Sequence, residues 1–330
     1  MRDGFFSIFT AANIDEMRIP VFNDISDAHI RISPFVHRTP VLTSLQLNKI
    51  FGADLYFKCE NFQKVGAFKF RGATNAVLNL GSVAREKGVI AHSSGNHAAA
   101  LAHAAVSRGV KAYIVMPDNA PLVKKKAVEG YGAEITFCKP TLKDREETTE
   151  AIIALTGATL IHAYDNFDVI CGQGSAALEL LREVPELDMV IAPVGGGGLV
   201  SGTSTAAKGV KKSIMVIGAE PVNANDAWKS FTTGQLVPSV NPVTVADGLL
   251  TSLSELTFTI IKNHVDQILT ATEESIIECM LLVWERMKII IEPSSATVLA
   301  VVKENQDLFK GKKAGLIISG GNVDFRKLPF

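Results

Sequence analysis

The sequence has no C-x-x-C pair and no zinc-ligand spacing, and its four cysteines, Cys59, Cys138, Cys171 and Cys279, lie far apart. This argues against a zinc site or a disulfide framework. The thiols are expected to be reduced and mostly buried, as in a cytoplasmic protein. No run reaches the roughly 18 apolar residues of a membrane span, so no membrane partner is expected. The opening MRDGFFSIFTAANIDEMRIP carries an apolar patch, but Asp3, Asp15 and Glu16 interrupt it and no signal peptide is expected. Basic blocks are also missing. Net charge is −1, and the densest cluster, Lys124-Lys125-Lys126, reads as a solvated helix face, which excludes a nucleic-acid surface. Internal repeats, low-complexity tracts, a G-x-G-x-x-G fingerprint and a P-loop are all absent.

What is present is a chain of 330 residues, 47% hydrophobic and 20% charged, enough for about two domains with a large core. Short β-branched apolar runs fall at 53–59, 88–94, 111–117, 133–138, 158–164, 189–195, 213–220, 266–271 and 314–321. Helical patterns lie between many of them, notably at 96–109, 175–184 and 273–288. This βαβα alternation predicts an α/β fold with parallel sheets covered by helices. The segment 234–247, with Pro238 and Pro242, predicts a long loop.

In open α/β sheets ligands bind at the carboxyl ends of the strands, so the turns there carry the functional reading. SSGNH (93–97) opens an alanine-rich helix; it is either an N-cap or an anion site at that helix's free N–H groups. GGGG (195–198) joins a strand to a helix, where a linker is out of place, and its successive amides suit a phosphate. SGGN (319–322) is a strand-ending turn or a ligand contact through Ser319. AEPVNAND (219–226) offers two hard carboxylates, Glu220 and Asp226, with loop carbonyls between them, a donor set for Mg²⁺, Mn²⁺ or Ca²⁺. In NFQKVGAFKFRGATNAV (61–77), Lys69 stands between Phe68 and Phe70. A lysine there either snorkels outward or is kept poorly solvated for chemistry. A phosphate cradle, a carboxylate cradle and a desolvated lysine together match pyridoxal 5′-phosphate and a small amino-acid substrate.

The motifs GAFKFRGA, SSGNHA, GQG, VGGGGLVSG, ADG and WERMK…IEPS resemble the fold-type II pyridoxal-phosphate enzymes, in particular the serine racemase and serine/threonine dehydratase family. HRTPVLTS, SSGNH and VWERMKIIIEPS look most like eukaryotic serine racemases. The resemblance runs from 37 to 324 and leaves no room for the C-terminal regulatory domain of biosynthetic threonine deaminases. It implies two parallel-sheet domains with the active site between them, a large one at 1–81 and 166–330 and a small mobile one at 82–165, in a homodimer. It implies that Lys69 forms the Schiff base and removes the Cα proton, with Phe68 against the cofactor ring and Asn96 on its 3′ oxygen. Gly195, Gly196, Gly197 and Gly198 hold the phosphate, Gly248 belongs to the cofactor site, and Ser319 faces the pyridine nitrogen. Ser93, Ser94, Asn96 and His97 line the substrate-carboxylate pocket, over which Arg145 closes. Glu220, the Ala224 carbonyl and Asp226 match a divalent-cation site. An ATP effector site would rest on Lys64, Lys124 and Tyr131, because Ala98 and Ala99 replace the Gly-Gln of many relatives. Tyr164 stands where animal racemases carry asparagine.

Racemisation needs a second acid opposite Lys69, and Ser94 is the candidate, at a position where threonine deaminases commonly carry alanine. The resemblance thus implies serine racemisation with β-elimination to pyruvate and ammonia. The alternatives are a dehydratase of L-threonine, L-serine or threo-3-hydroxyaspartate, and a non-catalytic phosphate-ligand binding protein.

Overall fold

Nine apolar runs form strands in a computed structural model, which describes residues 18–93, 95–120, 122–326 and 328. The strands are β1 (Val41–Thr43), β2 (Asp54–Cys59), β3 (Val89–His92), β4 (Ala112–Pro117), β5 (Glu134–Cys138), β6 (Thr159–Leu160), β7 (Met189–Pro193), β8 (Met215–Pro221), β9 (Gln267–Ala271) and β10 (Lys313–Ile318). One sheet has six strands in the order β1-β2-β10-β7-β8-β9, parallel except for β1 against β2. The other has four, β5-β4-β3-β6, all parallel.

The central strands are buried along their length, as β7 is at every residue, because helices cover both faces. β5, at an edge, is partly exposed. Two expectations changed. β1 is an antiparallel edge strand too short for a periodic signal. The apolar run at 158–164 stays in the sheet only through Leu160, after which the chain turns away. That turn hands the carbonyls of Ile161 and Ala163 to His97 and Lys69.

The helix Phe167–Glu183 explains the GQG motif. Residues two apart on a helix point to nearly opposite sides. Gly172 meets the helix Lys69–Leu78 at Gly72, where an added Cβ would fall 2.6 Å from the Gly72 Cα, while Gly174 meets the helix Gly198–Val210. The helix carrying Lys69 is therefore packed backbone to backbone against the next. As expected, 235–246 has no regular structure, after a helix Asp226–Thr233 that ends on Gly234 in the left-handed conformation.

Candidate active site

Lys69 opens its helix, directly after a segment pinned to the turn that follows β10. The Phe68 amide donates to the Ser319 carbonyl at 2.9 Å, and Ala67 bridges Gly320. Lys69 Nζ donates to the Ala163 carbonyl at 2.8 Å and lies 5.1 Å from the centre of the Phe68 ring. Phe70 does not box the lysine. It turns away into the core beneath the four-stranded sheet and stacks on His103, as the helical rotation between neighbouring residues requires. Burial pushes the Lys69 pKa down to about 8, while the Glu292 charge works in the opposite direction. The amine is thus much nearer neutrality at physiological pH than a surface lysine.

The helix Asn96–Val106 starts from Gly95, whose amide donates to Ser93 Oγ at 3.3 Å. Among the described residues no side chain caps this N-terminus, so its first amides face the turn. Ser94 lies outside the described residues. His97 is buried, and its Nε2 meets the Ile161 carbonyl at 2.8 Å. A carbonyl only accepts, so Nε2 carries the proton and Nδ1 presents a lone pair, which has no partner among the described residues. Burial, with Lys69 beside it, lowers this imidazole to about 3 and keeps it neutral. Arg145 lies on the helix Leu142–Thr156, its Nε toward the Thr141 carbonyl, and its charge reaches His92 and Tyr164.

The four glycines 195–198 are buried between β7 and the helix Gly198–Val210. None of their amides donates to a protein acceptor among the described residues. Buried donors left unpaired are costly, so this row fits an anion with several oxygens, as a phosphate has. Gly197 has φ +85°, and at Gly196 an added Cβ would fall 2.3 Å from the Tyr164 ring. Gly248 lies beside Gly195, its amide donating to Ser294 Oγ at 3.0 Å. Ser319 is buried, 2.9 Å from Ser295 Oγ.

Glu220 sits near the end of β8 and accepts from the amides of Ala227 and Trp228 at 2.9 and 2.8 Å. Asp226 begins the helix that these amides open, and Ala224 ends a single 3₁₀ turn just before it. Neither Asp226 oxygen has a hydrogen bond of normal geometry among the described residues, although Ser239 and the Leu253 amide lower its proton affinity from nearby. Burial pushes Glu220 up to about 8 and Asp226 up to about 6. Two buried carboxylates with unused lone pairs fit a hard cation completed by a carbonyl and water. Among the described residues no group of three His, Cys, Asp or Glu comes together.

Sequence reasoning missed Glu292, Ser295 and His162. Glu292 precedes Pro293 and looks locally like a helix start; it is buried against Asn96, 196 positions away. His162 sits edge-on to Tyr164 at 4.6 Å and is lowered to about 4 by burial.

Two mostly parallel sheets, with a poorly solvated lysine at the carboxyl ends of the strands and a glycine cradle nearby, define the class of fold-type II pyridoxal-phosphate enzymes. The chain belongs to the family described as "Pyridoxal-phosphate dependent enzyme", whose pattern matches residues 32–320. It is 50% identical to the serine racemase of Dictyostelium discoideum over 96% of this chain and 98% of that one. It is 48% identical to the β-hydroxyaspartate dehydratase of Paracoccus denitrificans over 95% of this chain and 100% of that one. The crystal structure of the Dictyostelium discoideum racemase superposes with a TM-score of 0.89 at 51% identity, covering 92% of this chain and 99% of that one.

Proposed function

We propose that this protein interconverts L- and D-serine and, from the same deprotonated substrate, eliminates the β-hydroxyl to yield pyruvate and ammonia. The observation that carries the reading is the part-buried, weakened base Lys69 among carboxylate- and phosphate-binding turns. Bound pyridoxal phosphate supplies the electron sink for the electrons left at Cα. Lys69 anchors that group and takes the Cα proton on one face. Ser94 delivers a proton on the other, at the N-terminus of the helix Asn96–Val106, whose dipole favours an oxyanion. Ser93, Ser94, Asn96 and His97 bind the substrate carboxylate, and Arg145 closes over it. Gly195–Gly198 and Gly248 hold the phosphate side of the cofactor, Phe68 covers its ring, Asn96 bonds the ring oxygen, and Ser319 meets the ring nitrogen as a neutral partner.

Glu220, the Ala224 carbonyl and Asp226 bind a structural Mg²⁺, Mn²⁺ or Ca²⁺. The residues 82–165 move as a small domain over the large one, 1–81 and 166–330, in a cytoplasmic homodimer. An ATP effector site would rest on Lys64, Lys124 and Tyr131.

The second reading is a dehydratase of threo-3-hydroxyaspartate, L-threonine or L-serine. The identity to the Paracoccus denitrificans dehydratase favours it. Incubation with L-serine, with D-serine and pyruvate read in parallel, decides between them. D-serine formation supports the racemase; pyruvate with no D-serine supports the dehydratase.

A further inference from the structure

Glu292 is a buried carboxylate to which the proposed reaction gives no step. It is reached from both sheets. Asn96 Nδ2, at the start of the helix that packs on the four-stranded sheet, donates to both of its oxygens at 3.0 and 3.2 Å. The Asn322 amide, in the turn that follows β10 of the six-stranded sheet, donates to Glu292 Oε2 at 3.2 Å. Asn322 also closes the ring from the other side, its Nδ2 donating to Asn96 Oδ1 at 2.9 Å and to the Val65 carbonyl at 2.8 Å. An amide that donates to a carboxylate and accepts from an amide has only one orientation available.

We propose that Glu292 is a positioning residue: its carboxylate fixes the Asn96 amide and, through Asn322, latches the substrate-binding helix to the strand end that carries Ser319. The inference rests on the reading above for its catalytic consequence, but the latch itself stands on the contacts. The anion makes it best. Among the described residues every hydrogen-bonding partner of the Glu292 carboxylate is a donor, so protonation weakens each of these bonds and a hydrogen placed on the side of a donor opposes it. The charges that face Glu292 are Lys69 from the helix Lys69–Leu78, Asp247 from the segment before Gly248, and Lys124 from the helix Leu122–Gly130. Burial raises its pKa to about 7, with Asp247 adding to the rise and the Asn96 hydrogen bond and Lys124 opposing it. The latch therefore opens as pH falls through neutrality.

The test uses cofactor-loaded protein with Glu292→Gln, and Asn322→Ala as a second variant that removes the same link from the other side. Amide hydrogen exchange at 95–100 and 319–324 is expected to quicken in both, with the visible absorbance of the bound cofactor retained. In Glu292→Gln, kcat with L-serine should fall roughly ten- to a hundredfold, the cost of a misplaced binding group, and the acid limb near pH 7 should vanish from the rate profile. Exchange unchanged in both variants overturns the latch. Faster exchange with wild-type kcat and an intact acid limb overturns its catalytic role. A wild-type protein that turns over no hydroxy amino acid overturns the proposed function instead, and the exchange result still decides the latch.

Discussion

A lysine serves as a nucleophile only when its ammonium is poorly solvated, and at Lys69 that condition is met by burial beneath Phe68 and Ala163. In the proposed mechanism Lys69→Ala removes both the anchoring amine and the first base. Turnover of L-serine is expected to fall on the order of a thousandfold or more, since residues acting as one unit fail together. A mutant converting L-serine near the wild-type rate would remove the assignment. Ser94 has a narrower role in the proposed mechanism. Its hydroxyl is needed only for the face opposite Lys69, so Ser94→Ala should keep the cofactor absorbance and much of the elimination of L-serine. Racemisation in both directions and elimination of D-serine should be lost. Chiral analysis of the products checks this, and D-serine made at the wild-type rate would assign the second acid elsewhere.

Among the elements, the helix Lys69–Leu78 is held by charge as well as by its glycine contact. Arg71, two residues after Lys69, is fully buried and bidentate to both Glu60 and Glu179, with bonds of 2.7 to 2.9 Å. Lys58 on β2 completes the cluster, 2.6 Å from Glu179. Burial alone would lower the proton affinity of Arg71, but the two carboxylates hold it above the ordinary value. The cluster ties β2, the lysine helix and the helix Phe167–Glu183 together in one register. Arg71→Met leaves Glu179 to Lys58 and Glu60 to the Thr39 hydroxyl, with one buried negative charge uncompensated, and should cost about 3–5 kcal/mol in urea unfolding. A loss below about 1 kcal/mol would show that the cluster is not a structural tie.

For the whole molecule, stability should depend on pH and cation together. Glu220, Asp226 and Glu292 all have proton affinities raised by burial, to about 8, 6 and 7. Such acids bind more protons folded than unfolded, so in the cation-free protein these three groups withdraw stability as pH rises from about 4 toward 8, against the lowered histidines His97 and His162, whose contribution rises with pH. At the proposed cation site a divalent ion would bind the deprotonated pair and reverse this at Glu220 and Asp226. The rise in Tm on adding Mg²⁺, Mn²⁺ or Ca²⁺ to EDTA-treated protein should be larger at pH 8.5 than at pH 6. Scanning calorimetry at the two pH values checks it; no cation effect at either would remove the metal site. Glu220→Gln should abolish the difference.

The sequence by itself determined the parallel α/β class, nine of the ten strands and the turns that bear Lys69, Asn96, the four glycines and Ser319. Those signals are local: a buried strand reads as an apolar run, and a turn after it shows its glycines and hydroxyls. Tertiary structure alone decided that the apolar run at 158–164 leaves its sheet after Leu160. It also turned Phe70 from Lys69 toward His103 and joined Glu292 to Asn96 across 196 positions. Nothing beside Glu292 in the chain announces that contact. A buried carboxylate and the donors that make its burial tolerable come from different sheets, and only packing brings them within hydrogen-bonding distance.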